Sequence, residues 1–590
     1  MPKAFHNQTV PGQQEHDALL FFIYIAIATL AVVIAIAVYI YGLHPTQIIE
    51  LLAVLGAVTI PLADAIRRSL KRKVMLERQW PKPRLMMKES VDRRYLAKAS
   101  KMNATLLGYE HNRKPVYWSD AQRAMQTNMP GMSGAGKSTC ILNIVEQDIR
   151  RGHPVIIFDG KGEKEFVLRI LAFAAAAGRG GDVRIIDPSH PGLSAKYNPF
   201  YSPTGNLQQR VQAVFDSLGA AQSKDEFFAE HQRAFLDSVA SVLSYTGKTL
   251  TFQSILAACQ QPRMIDQVID EVRETVRENP NLKQHEKDGF EFNATALKRI
   301  FEDDDWISKI QGLLNSMKPF VGASLAQITG PSVHPVTFEE VIEKRQILIV
   351  SMNVGTDSQS SRSLGRILMR DLQSTIGARY DDYTHNKKHS FVSVVLDEFG
   401  LYAYSGFSNI IHTARQANAG FLFSFQSIKQ LSSTVGESFA DDVATATNCK
   451  FLMRISESDT AENFIQASAA VRTDRLTYQM EKPGVLEGGR YEESGRASRI
   501  ETLETRVKDY QVKMLPTGQM MALLSDPDMG VVVKHVHVRQ PFEYYLPLEP
   551  IWIDAYVRAA DANDALRIDF TEAPQDQKQT KRGERRKRRQ

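Results

Sequence analysis

Residues 129–143 read "MPGMSGAGKSTCILN". Within them "GMSGAGKS" fits the pattern G-x-x-x-x-G-K-[ST] with Gly131, Gly136, Lys137 and Ser138. The glycines let backbone N–H groups curl around phosphates, and the helix expected from Thr139 onward points its positive end at the same place. Lys137 would reach the β and γ phosphates of a nucleotide, and Ser138 would ligate Mg²⁺. The candidate nucleotide site is therefore Gly131, Ser133, Gly134, Ala135, Gly136, Lys137, Ser138 and Thr139. Such a loop alone does not separate a metabolic kinase, a transporter and a motor.

Apolar runs downstream supply the frame. "VIIF" at 155–158 and "VRIIDP" at 183–188 are short and apolar enough for buried parallel strands. Helix between strands, repeated, predicts a doubly wound α/β core. "FVSVVLDEFG" (391–400) is a further strand, expected beside the P-loop strand and ending in Asp397 and Glu398. The aspartate would enter the Mg²⁺ shell and the glutamate would polarise water. Phosphoryl transfer needs little more than positioning and charge stabilisation. "GFLFSFQSIKQL" (420–431) ends its strand at Gln426, which either senses the γ phosphate and orients water or simply caps the strand. Arg415 precedes it, as a surface ion-pair partner or as a finger into a neighbouring subunit's site.

Composition bounds the rest. The chain has 590 residues, 43% hydrophobic and 24% charged, which is a globular balance sufficient for two to four domains. Cys140, Cys259 and Cys449 are too scattered for a disulfide framework or a zinc site. The net charge of +5 is small but unevenly placed. From Arg67 to Arg84 eight basic residues face one acid, Glu77, and eight more lie between Lys578 and Arg589.

Residues 18–42, "ALLFFIYIAIATLAVVIAIAVYIYG", carry no charge and exceed the roughly 20 residues that cross a bilayer. The segment is too long for a signal peptide, and its leader sets Lys3 against Glu15 and Asp17. A second candidate, 47–66, contains Glu50, Pro61 and Asp64, which favours a helix end, a protein-facing side or an interfacial helix. If both span, the basic run after them keeps the bulk of the chain, and the N-terminus, in the cytoplasm.

Taken together, "GMSGAGKST", "DGKGEKEF", "IIDPSHPGLSAKYNPF", "VVLDEFG" and "FSFQSIKQL" resemble the TraG/TraD-type coupling proteins of type IV secretion and conjugation, relatives of the FtsK/HerA translocases. The family's D-x-K-G-E is met by Asp159, Lys161, Gly162 and Glu163, and "LPTGQMMALLSD" (515–526) resembles its closing strand. The resemblance implies a RecA-like P-loop ATPase core with an inserted all-α domain and an N-terminal transmembrane hairpin. It also implies ATP hydrolysis at the interfaces of a homo-hexamer in the bacterial inner membrane, multi-pass with its bulk cytoplasmic. Carried over by position, Lys137 and Ser138 bind nucleotide and Mg²⁺, Asp397 ligates Mg²⁺, Glu398 activates water and Gln426 is a strand-tip sensor. Arg415 is the candidate arginine finger, with Arg454 its rival.

The expected division is a cytoplasmic N-terminus (1–17), two transmembrane helices (18–66) and a basic juxtamembrane linker (67–100). The nucleotide-binding domain follows in two parts (101–204 and 346–545) around an all-α insertion (205–345), and a C-terminal helix with a basic tail closes the chain (546–590). Helical periodicity at 206–219, 225–247 and 264–278 supports the insertion. "FEDDDW" (301–306) lacks the glycine and terminal glutamate of a calcium loop and reads as a cap or solvated turn. Phe407 and His412 stand in a segment that could line a pore.

The function implied is a coupling protein that recruits relaxase-bound single-stranded DNA and feeds it to a type IV secretion channel, with relaxosome proteins as partners. One alternative is the same machine exporting protein effectors; a second class is an FtsK-like chromosomal DNA translocase, which would normally bring more membrane spans and a C-terminal winged helix. A non-enzymatic scaffold that binds ATP for assembly conflicts with the intact Lys137, Asp397 and Glu398. An ABC transporter ATPase would need an "LSGGQ"-like signature.

Overall fold

In a computed structural model the protein is described at residues 81–201, 207–218, 226–260, 262–353, 358–384, 389–481, 492–526 and 530–544, besides the isolated Gly42 and Thr46. The hydrophobic segments at 18–41 and 47–66, the basic run through Arg78 and the chain from 545 lie outside the described residues. Among those described, no helix is long and apolar enough to cross a membrane. The chain divides into Met1–Pro83 and Arg84–Gln590, and every element named below belongs to the second unit.

Its centre is an eleven-stranded mixed sheet. Seven strands are parallel neighbours in the order β9 (Cys449–Leu452), β3 (Thr127–Pro130), β8 (Ala419–Phe425), β7 (Val392–Asp397), β4 (Val155–Asp159), β6 (Ile347–Ser351) and β5 (Val183–Ile186). Beyond β9 the sheet turns antiparallel through β12 (Gln519–Asp526), β13 (Gly530–Val538), β1 (Ala104–Tyr109) and β2 (Pro115–Ser119). A separate two-stranded ribbon, β10 (Ala470–Glu481) with β11 (Glu492–Thr505), is inserted between β9 and β12.

Continuous apolar runs become central strands because both faces of the sheet are covered. Along β4, Ile156 and Phe158 face one core while Val155 and Ile157 face the other. In β8, Phe421, Phe423 and Phe425 alternate with Leu422 in the same way. One face is covered by α1 (Glu89–Lys101), near β1, and by α2 (Lys137–Arg150) and α3 (Lys164–Ala176). Phe407 is fully buried against Phe399, Phe421 and Phe423; it belongs to the core and lines no pore.

Between β5 and β6 the described residues from Leu207 to Glu343 hold α- and 3₁₀-helices and no strand. Helix Glu226–Ser244 is packed by Gln284–Glu302 and Trp306–Met317, with Phe235 stacked on Trp306 at 6.3 Å between ring centres. The acidic stretch at 303–305 joins the last two of these helices, and Asp303 pairs with Lys309.

At the edge where the parallel strands begin, Arg123 is buried in a bidentate pair with Asp148 (2.6 and 2.5 Å). Ser393 of β7 donates to Asp148 at 2.7 Å and Arg151 donates at 2.8 Å. Burial opposes the charge on Asp148, but Arg123 and Arg151 outweigh it and hold its pKa far below the carboxylate range. This network ties the far end of the P-loop helix to the sheet.

Candidate functional site

The opposite edge, where β3, β8, β7 and β4 end, gathers the sequence motifs. The P-loop leaves β3 at Pro130 and enters α2 at Lys137. Its neighbours hold it: the Gly131 N–H donates to Phe425 O (3.1 Å) and the Met132 N–H to Arg454 O (3.0 Å). From the loop before β12, the Gly518 N–H donates to Ala135 O (3.0 Å) and the Thr517 hydroxyl to Gly134 O (3.0 Å). Gly136, with φ +105°, has no room for a side chain, because a Cβ would stand 3.0 Å from the Gly518 nitrogen. It precedes α2 without a side-chain cap. No described residue accepts the N–H groups of Gly136, Lys137, Ser138 or Thr139, so the first turn of α2 presents free donors and the positive end of its dipole. Ser133 and Gly134 are exposed, Ser138 and Thr139 half-buried, and Lys137 buried.

From the sequence, Asp397 is expected on the strand beside the P-loop strand. In the sheet β8 lies between them, and Asp397 reaches the site from one strand further out. That order brings β8 into the site, where Ser424 donates its hydroxyl to Asp397 Oδ1 at 2.7 Å. Glu398 follows at φ +48°, in the left-handed region that costs a residue with a Cβ some strain and marks functional turns. Tyr402 clamps the turn by donating its hydroxyl to Asp397 O at 2.9 Å.

The carboxylates face two ammonium groups. Lys137 Nζ lies 3.8 Å from Glu398 Oε1, and its side chain also donates to Gly131 O. Lys161 Nζ lies 3.5 Å from Asp397 Oδ2 and 3.5 Å from Glu398 Oε1. Gln426, at the tip of β8, donates Nε2 to Glu398 Oε2 at 3.3 Å. Burial holds the Lys137 ammonium below the usual lysine range, against the pull of Glu398 and Asp397. Burial also acts against charge on Lys161, but Asp397, Glu398 and Glu163 outweigh it and raise its pKa. Burial pushes the Asp159 carboxyl up to about 6, opposed by the Lys161 N–H bond and reinforced by Asp397.

Lys137, Asp397, Glu398 and Gln426 thus converge within one cluster beside the P-loop. Arg415 does not: it is exposed, four residues before β8 begins, at the other end of that strand from its own P-loop. Arg454 follows β9 on the P-loop edge, half-buried, and its Nε has no hydrogen-bond partner among the described residues. Two residues in the cluster have no role that the sequence alone assigns, Lys161 and Ser424. Lys161 stands in a recognised motif whose target on β7 is 236 positions away by number (161 to 397), and Ser424 is one residue of a phenylalanine-rich strand.

The donor set fits a nucleotide with a divalent cation. Free N–H groups at a helix start, a lysine at the loop's end, a hydroxyl at Ser138 and a carboxylate at Asp397 are hard oxygen and cationic groups suited to phosphate and Mg²⁺.

A family described as "Type IV secretory system Conjugative DNA transfer" matches residues 86–469. A curated relative, the type 4 coupling protein DotL of Legionella pneumophila, is 21% identical over an alignment covering 58% of this chain and 48% of that protein. The chain therefore spans about half the length of the curated relative it matches. Among solved structures, the unbound monoclinic form of the bacterial conjugative coupling protein TrwBdeltaN70 aligns with a TM-score of 0.52 at 12% identity, covering 77% of this chain and 94% of that one. The plasmid coupling protein TrwB in complex with the non-hydrolysable ATP analogue ADPNP aligns at 0.50 and 14% identity, with 77% and 94% covered. At such identities the likeness is one of fold. The family match covers well over half of the chain, and the chain belongs to the type IV secretory system conjugative DNA transfer family.

Proposed function

We propose that this protein is an ATP-hydrolysing coupling protein that recruits relaxase-bound single-stranded DNA to a type IV secretion channel. One observation carries the enzymatic part: Lys137, Lys161, Asp397, Glu398 and Gln426 meet at the mouth of a P-loop whose helix start is unsatisfied. The plasmid coupling protein TrwB, which shares the fold, is described in complex with non-hydrolysable GTP and ATP analogues.

Lys137 and the free N–H groups of Gly136 to Thr139 bind and orient the phosphates. Ser138 and Asp397 hold Mg²⁺, which when bound offsets charge on the phosphate oxygens. Glu398, fixed by Gln426 on one oxygen, aims the other at the attacking water and takes its proton. Ser424 and Tyr402 hold the carboxylate turn in place, so positioning costs no reorganisation at the moment of reaction.

In this reading residues 18–66 form a membrane hairpin, residues 205–345 are the insertion domain between the two parts of the nucleotide-binding domain, and active sites complete themselves in a hexamer. Arg454 serves its own site, and Arg415, at the far edge, is free to reach a neighbour's. The test is ATP turnover by purified full-length protein with and without single-stranded DNA. DNA-stimulated turnover that Lys137→Ala abolishes is the expected result. Turnover indifferent to DNA would contradict the DNA reading, and turnover surviving Lys137→Ala would contradict the site.

A further inference from the structure

The stretch "DGKGE" (159–163) forms a loop whose shape is fixed from several sides. β4 ends at Asp159, in register with Asp397 of β7. Asp159 turns its carboxylate back on its own loop, where Oδ1 accepts the Lys161 N–H at 3.0 Å and Oδ2 accepts the Glu163 N–H at 3.1 Å. The loop then runs so close to β7 that a Cβ on Gly160 would stand 3.2 Å from Glu398 Cβ and 3.3 Å from Asp397 O. Gly162 sits at φ +66°, and a Cβ there would stand 2.9 Å from Asn353 Cα. Two glycines and one carboxylate leave the loop a single placement.

That placement delivers the Lys161 ammonium to a point 3.5 Å from both Asp397 Oδ2 and Glu398 Oε1. Glu398 Oε1 is buried and stands within ion-pair range of Lys137 and Lys161. Adjacent buried carboxylates repel each other and are costly to desolvate unless a cation is held between them. Lys137 is turned toward the P-loop carbonyl of Gly131, so the cation shared by both carboxylates is Lys161.

We infer that Lys161 is the resident counter-cation of the Asp397–Glu398 pair, positioning Glu398 toward water and opposing entry of a divalent cation until a nucleotide brings one. The inference rests on the ATPase reading above and adds a regulation to the same site. A bare divalent ion must displace an ammonium already paired with Asp397. A metal arriving with phosphates brings compensating negative charge that Lys137 and Lys161 can both meet.

The test uses Lys161→Met and Lys161→Arg in the full chain, with Mn²⁺ alone as the probe. In nucleotide-free protein, Lys161→Met removes a cation that repels the metal and should bind Mn²⁺ about tenfold more tightly than wild type in an electron paramagnetic resonance titration, and Lys161→Arg should match wild type. In steady-state turnover Lys161→Met should lose at least about tenfold in kcat with KM for ATP within about twofold, and Lys161→Arg should recover most of the loss. Thermal melts of the metal-free proteins accompany the titrations, and Lys161→Gln repeats the comparison if the methionine variant melts early. Wild-type Mn²⁺ affinity or wild-type kcat in folded Lys161→Met would overturn the inference while leaving a Lys137-dependent ATPase standing. A wild-type protein without Lys137-dependent turnover would overturn both.

Discussion

Replacing Gly162 by alanine tests how tightly the site is built. Gly162 and Gly178 have nearly the same backbone angle, φ +66° and +71°. An L residue in that region costs roughly 1–2 kcal/mol. Around Gly178 no described atom lies within 4 Å of an added Cβ, so Gly178→Ala should cost that strain alone. At Gly162 the Cβ would meet Asn353 Cα and Cβ at 2.9 Å and its nitrogen at 3.0 Å. Backbone atoms in a loop that leaves β6 cannot rotate aside, and such overpacking adds about 1–3 kcal/mol. Gly162→Ala should therefore destabilise by about 2–5 kcal/mol, roughly double or more the cost at Gly178. Because the displaced loop carries Lys161, Gly162→Ala should also slow ATP turnover while Gly178→Ala leaves it near wild type. Urea unfolding followed by intrinsic fluorescence gives the first comparison and a coupled phosphate-release assay the second. Equal destabilisation by the two substitutions would refute the tight packing of the Asp159–Glu163 loop against Asn353.

Three more expectations follow from buried polar groups. Lys450 is buried in β9, donating to Ala444 O, and burial pulls its pKa down to about 8. The unfolded chain then holds the proton more strongly, so the penalty is full below pH 8 and fades as pH rises toward the ordinary lysine value of 10.5. Lys450→Met should stabilise the protein by up to about 3 kcal/mol near neutral pH, and the advantage should shrink in urea titrations at rising pH. Asp148→Asn removes the bidentate carboxylate from buried Arg123, leaving Asp120 at 3.4 Å as its remaining acid, and should cost up to about 3–5 kcal/mol in the same measurement. Ser424→Ala removes the hydroxyl that steadies Asp397, and should raise the Mg²⁺ concentration for half-maximal turnover by roughly 10-fold or more.

What the sequence made legible was local. The P-loop glycines, the apolar strand ending in Asp397 and Glu398 and the strand ending in Gln426 are all written in contiguous residues, and the sheet brings their ends together. The helices between 207 and 343 likewise carry their period in the chain. What depended on sheet order was not legible. That β8 separates β3 from β7, and so gives Ser424 a role, cannot be seen from either strand alone. The function of Lys161 required knowing that β4 lies beside β7 in register, with Asp159 opposite Asp397. The β10–β11 ribbon is harder to read because "AVRTDRLTYQME" alternates apolar and polar residues only over its last six positions, and "EESGRASRIETLET" spaces its few apolar residues three apart. Arg415, four residues before β8, lies at the opposite edge from its own P-loop because β8 runs between it and Gln426, and which subunit's site such a residue would serve is not written in a single chain.

The central claim is that Glu398 drives hydrolysis in a site where Lys137 grips the nucleotide. The most direct measurement is ATP binding and single-turnover hydrolysis by Glu398→Gln, alongside wild type and Lys137→Ala. Glu398→Gln should bind ATP as wild type does and hydrolyse it about 10²–10⁴ times more slowly, while Lys137→Ala should fail to bind. Hydrolysis by Glu398→Gln at the wild-type rate would contradict the assignment.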